Sequence, residues 1–484
     1  MTITQVLKTI HAISKKTKTD VYAVGGFVRD QLLGRDFKKD IDFVVVGSGL
    51  EFAQHVFEIV GEDKASLIEF PDFDTARIVF GIRNTETKAM ETIELEVEFA
   101  GARSESYRST SRKPTVTPAT LEEDLSRRDF TVNAMAQKVG ASGLSKIIVD
   151  PFDGKKDLKN SVLKTPLDPD VTFSDDPLRM LRAVRFAAQL NFSIEEKTLE
   201  AIVRNKERLK IISAERIQEE FLKLLGTKQP SIGLWLLIRT GLMDMFLPEI
   251  SALDGVEDMY GHSHKNNLSH TIQVVDNIAE RSDKVLLRFA GLMHDIGKPG
   301  TKDFLRGRGW TFDMHEHLGR KMVRDIGKRL KMSKDATEYV SKLVRWHMQP
   351  INLMDEEVTD SAVRRIIVNL KENLEDLLIL CRSDITTGNP QKKERRLKNY
   401  DYLEKRVGEV IETDKLRAFQ SPVRGEEIME LCGLKPGPTV GKIKKALEEA
   451  ILDGKVANEY EAVKRYFETI KDDLLKDVRE WEKI

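Results

Sequence analysis

Cysteine is nearly absent from this 484-residue chain: Cys381 and Cys432 are the only two, far apart and outside any CxxC spacing. That excludes a disulfide framework and a cysteine-based zinc site, and it fits a reducing, cytoplasmic setting. No apolar run approaches the roughly 18 residues that a membrane helix needs, and the N-terminus lacks a secretory apolar segment. The first nineteen residues lack acid, as a transit peptide would, but they also lack arginine. Val6, Ile10 and Ile13 form one helical stripe leading into the strand VYAV, which marks a structural helix instead. An excess of one charge is missing too. Lysine plus arginine total 78 against 79 acidic residues, so a net charge of −1 offers no whole-chain footprint for a polyanion, and any nucleic-acid surface must be local. The densest local stretch, 391–406 (QKKERRLKNYDYLEKR), holds seven basic residues, three acidic ones and two tyrosines. A nucleic-acid contact and a solvated helix face both account for it.

What is present is ample apolar content, 40%, over a length that accommodates about three domains. Up to about residue 140, strands such as DIDFVVV and IELEVEF mix with amphipathic helices such as GLEFAQHVFEIV, predicting an α+β head. After residue 150 the strand signals fade, and charged amphipathic stretches predict a nearly all-helical remainder. Joints are expected at the PFDG turn at Pro151, around 248–260, and at TTGNPQKK from Thr386.

In VYAVGGFVRDQLLG an apolar strand runs into Gly25 and Gly26 and then a helix with Arg29 and Asp30. Two glycines allow close backbone approach, and free amides beside Arg29 suit a triphosphate, although an ordinary tight turn has the same pattern. In KKDIDFVVV, Asp40 and Asp42 share one strand face and Ile41 and Phe43 the other. Paired like charges oppose folding unless a cation occupies them, and all-oxygen ligands suit Mg²⁺. IELEVEF alternates strictly, putting Glu94, Glu96 and Glu98 on one face; Glu98, just before the GAR turn, is the candidate third carboxylate, exposed-face glutamates being the plain alternative. LEEDLSRRDFTVNAMA concentrates Arg127, Arg128, Asp129, Thr131 and Asn133. Its arginines can neutralise triphosphate oxygens, and Asp129 can accept from a ribose 2′-hydroxyl.

GGFVRD, DIDF and RRDFTVNAMA, in this order and spacing, resemble the class II tRNA nucleotidyltransferase and bacterial poly(A) polymerase superfamily. The resemblance implies an α+β fold with a polymerase β-like nucleotidyltransferase head, in which Asp40 and Asp42 hold Mg²⁺ for attack of an RNA 3′-hydroxyl on the α-phosphate. An elongated all-α body including an HD domain follows. DDPLRMLRAVRF resembles the family's EDxxR helix, with Asp175 in place of the usual glutamate; Asp176 and Arg179, three apart as in any helical ion pair, would read CTP and ATP, with Arg182 beside them. SAERIQEEFLKLL resembles the next family element, a supporting helix acting through Ile217, Phe221 and Leu224.

Seven of the nine histidines lie from His262 to His347. The set His270, His294, Asp295, His315, His347 and Asp384 resembles HD-domain phosphohydrolases, and its donors suit Mn²⁺, Fe²⁺, Ni²⁺ or Zn²⁺; His262, His264 and His317 stay unassigned. SPVRGEEIMELCGLKPGPTVGKIKKALEEAIL resembles the family tail, where the turn before Val440 and Gly441, beside Lys435, Lys442, Lys444 and Lys445, would grip tRNA phosphates; a plain helical hairpin is the alternative. The expected domains are a head (1–145), a neck with the base-reading helix (146–250), an HD domain (251–385) and a tRNA-binding tail (386–484). Addition of CCA to tRNA from CTP and ATP is the expected function. Poly(A) synthesis, CC-only addition and, from another class, HD phosphohydrolysis remain open.

Overall fold

The computed structural model describes residues 2–35, 40–83, 90–108, 111–255, 258–259, 262–263, 266–353, 359–414, 421–476 and 478–483. The chain forms two compact units, one from 1–252 with 328–332 and one from 253–327 with 333–484. Among the described residues, no helix is long and apolar enough to cross a membrane.

The first unit begins with helix α1 (Ile3–Thr17), capped by Thr2 and burying Val6, Ile10 and Ile13, followed by strand β1 (Val21–Val24), α2 (Gly26–Leu32) and β2 (Asp40–Val45). Next come α3 (Gly49–Val60), β3 (Ala65–Phe70), β4 (Thr75–Arg83) and β5 (Met90–Gly101), then a hairpin of β6 (Arg103–Arg108) and β7 (Ser111–Pro118). After α4 (Leu121–Ser126), strands β8 (Ala136–Gly140) and β9 (Gly143–Val149) complete a seven-stranded mixed sheet of order β3-β4-β5-β2-β1-β8-β9. The alternation read in DIDFVV holds: Asp40 and Asp42 are exposed while Ile41 and Phe43 are buried. Phe43 stacks on Phe99 at 5.3 Å and Phe52 of α3 tilts against the same ring at 5.5 Å. Such ring pairs add about 0.5–1.5 kcal/mol each to area burial. They anchor the buried face of β2, and so hold its carboxylates on the other.

Helices α5 (Gly154–Asn160), α6 (Pro169–Asp175), α7 (Leu178–Leu190), α8 (Glu196–Asn205), α9 (Ala214–Leu225), α10 (Pro230–Thr240) and α11 (Pro248–Ser251) finish this unit. The stretch expected as one base-reading helix is broken between α6 and α7. Asp176 is extended, at φ −134° and ψ 98°, because Pro177 disfavours a helical residue before it and suits the first position of the next helix.

In the second unit, α12 (Asn267–Ala279), α13 (Val285–Met293), α14 (Lys298–Thr301), α15 (His315–Arg329), α16 (Lys334–Trp346), α17 (Asp360–Leu370) and α18 (Leu374–Ser383) surround the histidines. Then α19 (Pro390–Asp414) leads to α20 (Gly425–Cys432), α21 (Pro438–Leu452) and α22 (Tyr460–Leu475), which share a core of Ile428, Ile443, Leu447, Val463 and Phe467.

Candidate functional site

Two adjoining cavities, of about 240 and 300 Å³, share Asp42, Arg128, Asp129 and Arg182. Gly25, Gly26, Arg29, Asp40 and Asn133 line the first; Glu98, Asp176, Arg179 and Arg216 line the second. The carboxylate, glycine and arginine candidates read from the head and neck therefore meet at one cleft with Asn133, whereas Thr131 lies off it and donates to Asp157 Oδ2 at 2.7 Å.

The strand register explains the carboxylates. β2 and β5 are parallel, with Asp40 opposite Glu96 and Asp42 opposite Glu98. β4 runs antiparallel on the far side of β5 with Arg77 opposite Glu98, and Arg77 Nη2 donates to Glu98 Oε2 at 2.9 Å. The candidate third carboxylate is thus ion-paired, which the sequence did not disclose. Asp42 is exposed to the cleft, yet the protein packed around its carboxyl desolvates it and pushes it up to about 6; Asp40 and Glu98 add to this, while Arg128 and Arg77 oppose it. Negative charge at this strand end is incompletely neutralised by protein, so oxygen donors with spare charge fit a divalent cation.

The glycine turn faces them. Gly25 has φ +70°, and a Cβ there would lie 3.2 Å from Arg128 Nη1 and 3.7 Å from Asp42 Oδ2, so backbone and cleft touch only because no side chain intervenes. Arg29, 3% exposed, is held by Asp30 (2.9 Å) and by Asn133 Oδ1 (2.7 Å). Asn133 Nδ2 donates in turn to Asp129 Oδ1 at 2.9 Å. Arg127 and Arg128 are both anchored on the fully buried Asp124.

Asp129 was expected to face a ribose hydroxyl. Its oxygens already accept from Phe130 N, Asn133 Nδ2 and both Nε and Nη2 of Arg182, the last at 2.6 Å. An ionised carboxylate has about four acceptor sites, so the position is filled. Burial opposes the charge, yet Arg182 and Asn133 outweigh it and hold the carboxyl down to about 2. Asp176 accepts from Leu178 N at 3.2 Å and pairs with Arg216 of α9 at 3.4 Å rather than with Arg179, so the ordinary helical ion pair does not form. Arg179 is buried, with Nη1 3.5 Å from Thr172 O. α9, expected to serve through apolar residues alone, also supplies Glu220, 4% exposed, which accepts from Arg185 Nε at 2.7 Å. The polar residue inside that amphipathic stripe was the overlooked signal.

In the second unit the six histidine-site candidates converge as two adjacent sets, His270, His294 and Asp384, and Asp295, His315 and His347, each with ligand atoms within 4.8 Å. Asp295 bridges them: Oδ2 lies 3.2 Å from His294 Nε2 and 3.6 Å from His270 Nε2, and Oδ1 lies 3.4 Å from His315 Nε2. His294, His315 and His347 donate Nδ1–H to Gly291 O, Phe312 O and Val344 O at 2.7–2.8 Å. That fixes the tautomers so that the Nε2 lone pairs face inward, as metal ligands require. His294 Nε2 is buried and, although Asp295 Oδ2 lies 3.2 Å away, meets no acceptor in hydrogen-bonding geometry among the described residues. Although burial opposes it, the Asp295 and Asp384 carboxylates push His294 up to about 10, so the cluster favours added positive charge, and its mixed nitrogen and oxygen donors fit a transition metal. Gly297 makes this closeness feasible, since a Cβ would meet His315 O at 2.2 Å. Lys298 Nζ reaches Asp295 Oδ2 at 2.6 Å. His317 is exposed, the side chain of His262 and the whole of His264 lie outside the described residues.

In the tail, the turn expected to grip phosphates is already occupied: Thr439 N, at the start of α21, donates to Glu482 Oε2 at 2.9 Å. A carboxylate of the chain itself takes a helix N-terminal amide that an RNA phosphate was expected to use. The basic stretch 391–406 lies on α19, which buries Tyr400 and Leu403 and leaves Lys398 exposed in a pair with Glu394.

Residues 21–164 match the model of the poly A polymerase head domain, 191–253 that of the probable RNA and SrmB-binding site of polymerase A, and 267–387 that of the HD domain. The chain is 32% identical over 424 residues to a multifunctional CCA protein of Pseudoalteromonas atlantica, spanning 85% of this chain and 96% of that one. It is 33% identical over 355 residues to an A-adding tRNA nucleotidyltransferase of Deinococcus radiodurans, spanning 71% and 78% respectively. The fold matches the Bacillus stearothermophilus CCA-adding enzyme in complex with CTP, with a TM-score of 0.64, 23% identity, and coverage of 99% of this chain and 100% of that chain. With the head, RNA-binding and HD models matched in succession and a relative 32% identical over 85% of this chain, the chain belongs to the family of tRNA nucleotidyltransferases that carry an HD domain.

Proposed function

We propose that the chain adds CCA to the 3′ end of tRNA from CTP and ATP, without a nucleic-acid template. The observation that carries this reading is the continuity of one cleft from the Asp40 and Asp42 pair, through Arg128 and Arg182, to Asp176 and Arg179. The amides after Gly25, with Arg29 and Arg128, bind the triphosphate through charge-assisted hydrogen bonds. Asp176 accepts from the exocyclic amine that cytosine and adenine share and uracil lacks, and Arg179 donates to ring acceptors. Asp129 and Asn133 act by orienting Arg182 and Arg29. Asp40 and Asp42 hold a divalent cation, Mg²⁺ by its preference for oxygen, which when bound lowers the charge on the attacking 3′-oxygen and the departing pyrophosphate. Glu98 joins that set on release from Arg77. The head spans 1–145, the neck 146–250, the HD domain 251–385 and the tail 386–484, in a cytoplasmic protein.

The inward-facing Nε2 atoms of the histidine cluster favour a second activity, hydrolysis of phosphate esters at RNA 3′ ends, with Mn²⁺, Fe²⁺, Ni²⁺ or Zn²⁺ held by the six residues. The test of the main reading is extension of tRNA transcripts ending before CCA or after CC, with CTP and ATP separately and together, resolved by single nucleotides. Two nucleotides with CTP and three with both are expected. A single A added only to transcripts ending in CC identifies A-addition, a stop at two CC-only addition, and a long A ladder poly(A) synthesis; each of these overturns the proposal.

A further inference from the structure

With the N-terminus of α21 filled by Glu482, a different helix start in the tail is open. Ser421, Arg424, Gly425, Glu426 and Lys444 border a cavity of about 360 Å³ where α20 begins. Ser421 is 3% exposed and its Oγ has no hydrogen-bond partner among the described residues. A buried hydroxyl left without a partner has given up its hydrogen bonds to water for nothing in return, so it calls for a ligand. The first helical hydrogen bond of α20 runs from Ile428 N to Arg424 O, and among the described residues no side chain caps the three amides before it. Arg424 has no ion pair among the described residues, and Lys444 has only a loose one, 3.9 Å from Glu448.

We propose that this cavity binds a phosphate of the RNA backbone. Ser421 Oγ and the amides of Gly425 and Glu426 donate to the phosphate oxygens, and Arg424 and Lys444 neutralise them. Glu426 borders the cavity and opposes an anion, which is why two cations and a helix N-terminus are needed together. The site rests on the reading of the chain as a tRNA-binding enzyme, and it moves phosphate contact from the start of α21 to that of α20.

The test is filter binding of a tRNA transcript lacking CCA to the full-length protein, across about 50–200 mM salt, for wild type, Arg424→Gln, Lys444→Gln and Ser421→Ala. Arg424 and Lys444 are exposed, so their replacement leaves folding intact, which a thermal melt verifies. Each charge variant is expected to raise Kd roughly threefold to tenfold and to flatten the slope of log Kd against log salt by roughly 0.7–0.9, the signature of one lost phosphate contact. Ser421→Ala raises Kd with the slope unchanged, because it removes a hydrogen bond and no charge. Wild-type Kd and slope in both charge variants, or a raised Kd at unchanged slope in them, overturns the site while the tRNA reading stands. If the wild type binds and extends no tRNA, that reading falls and the site with it.

Discussion

The two clusters of carboxylates in this chain solve the same electrostatic problem in opposite ways. At the end of β2, Asp40 and Asp42 stand in an open cleft with arginines arrayed opposite, and Asp42 is pushed up to about 6, so the pair waits for charge from outside. In the second unit, Asp295 is 2% exposed and His270, His294, His315 and His347 close around it and Asp384. The open oxygen-only site suits a hard cation that arrives with a triphosphate; the closed mixed site suits a resident transition metal. The difference shows two donor sets of different chemistry in one chain, each within its own unit.

Separate substitutions test that separation. The largest effect is expected from Asp42→Ala, which lowers tRNA extension roughly 10³-fold or more, the several kcal/mol that a bound cation supplies. Elemental analysis of the same variant should show the transition-metal content of the wild type; loss of both would break the comparison. His294→Ala is expected to strip that metal from purified protein while extension stays within about twofold. Extension that fell with the metal would show the histidine site to be part of nucleotide addition. The smallest effect concerns Asp129. Its carboxyl is depressed to about 2 against an ordinary 3.8, so its stabilisation is fully present above about pH 4 and is lost as the pH falls through about 2. Asp129→Asn should remove on the order of 2 kcal/mol at neutral pH and flatten the decline of the melting temperature between about pH 4 and 2. An unchanged acid limb would mean that Arg182 is held by other partners.

Much of both sites was legible residue by residue. Strand alternation put Asp40 and Asp42 on one face, and the order of His270, His294, Asp295, His315, His347 and Asp384 named a ligand set that does converge. Pro177 was equally visible, and its steric rule breaks, at Asp176, the helix expected to read the base. Glu482 at the start of α21 was not visible, because its hydrogen bond joins residues 43 apart.

By itself, then, the sequence determined the local devices: the glycine turn, the alternating strand, the amphipathic helices and the identity of the candidate metal donors. These follow from backbone sterics and periodicity within a few residues. Only the tertiary structure decided which charges meet. Arg77 takes Glu98 because β4 and β5 are antiparallel in one register, Arg182 takes Asp129 across 53 residues, and Glu220 takes Arg185 across 35. Ion pairs are chosen by distance in space and by the burial that strengthens them, and neither quantity is written along the chain.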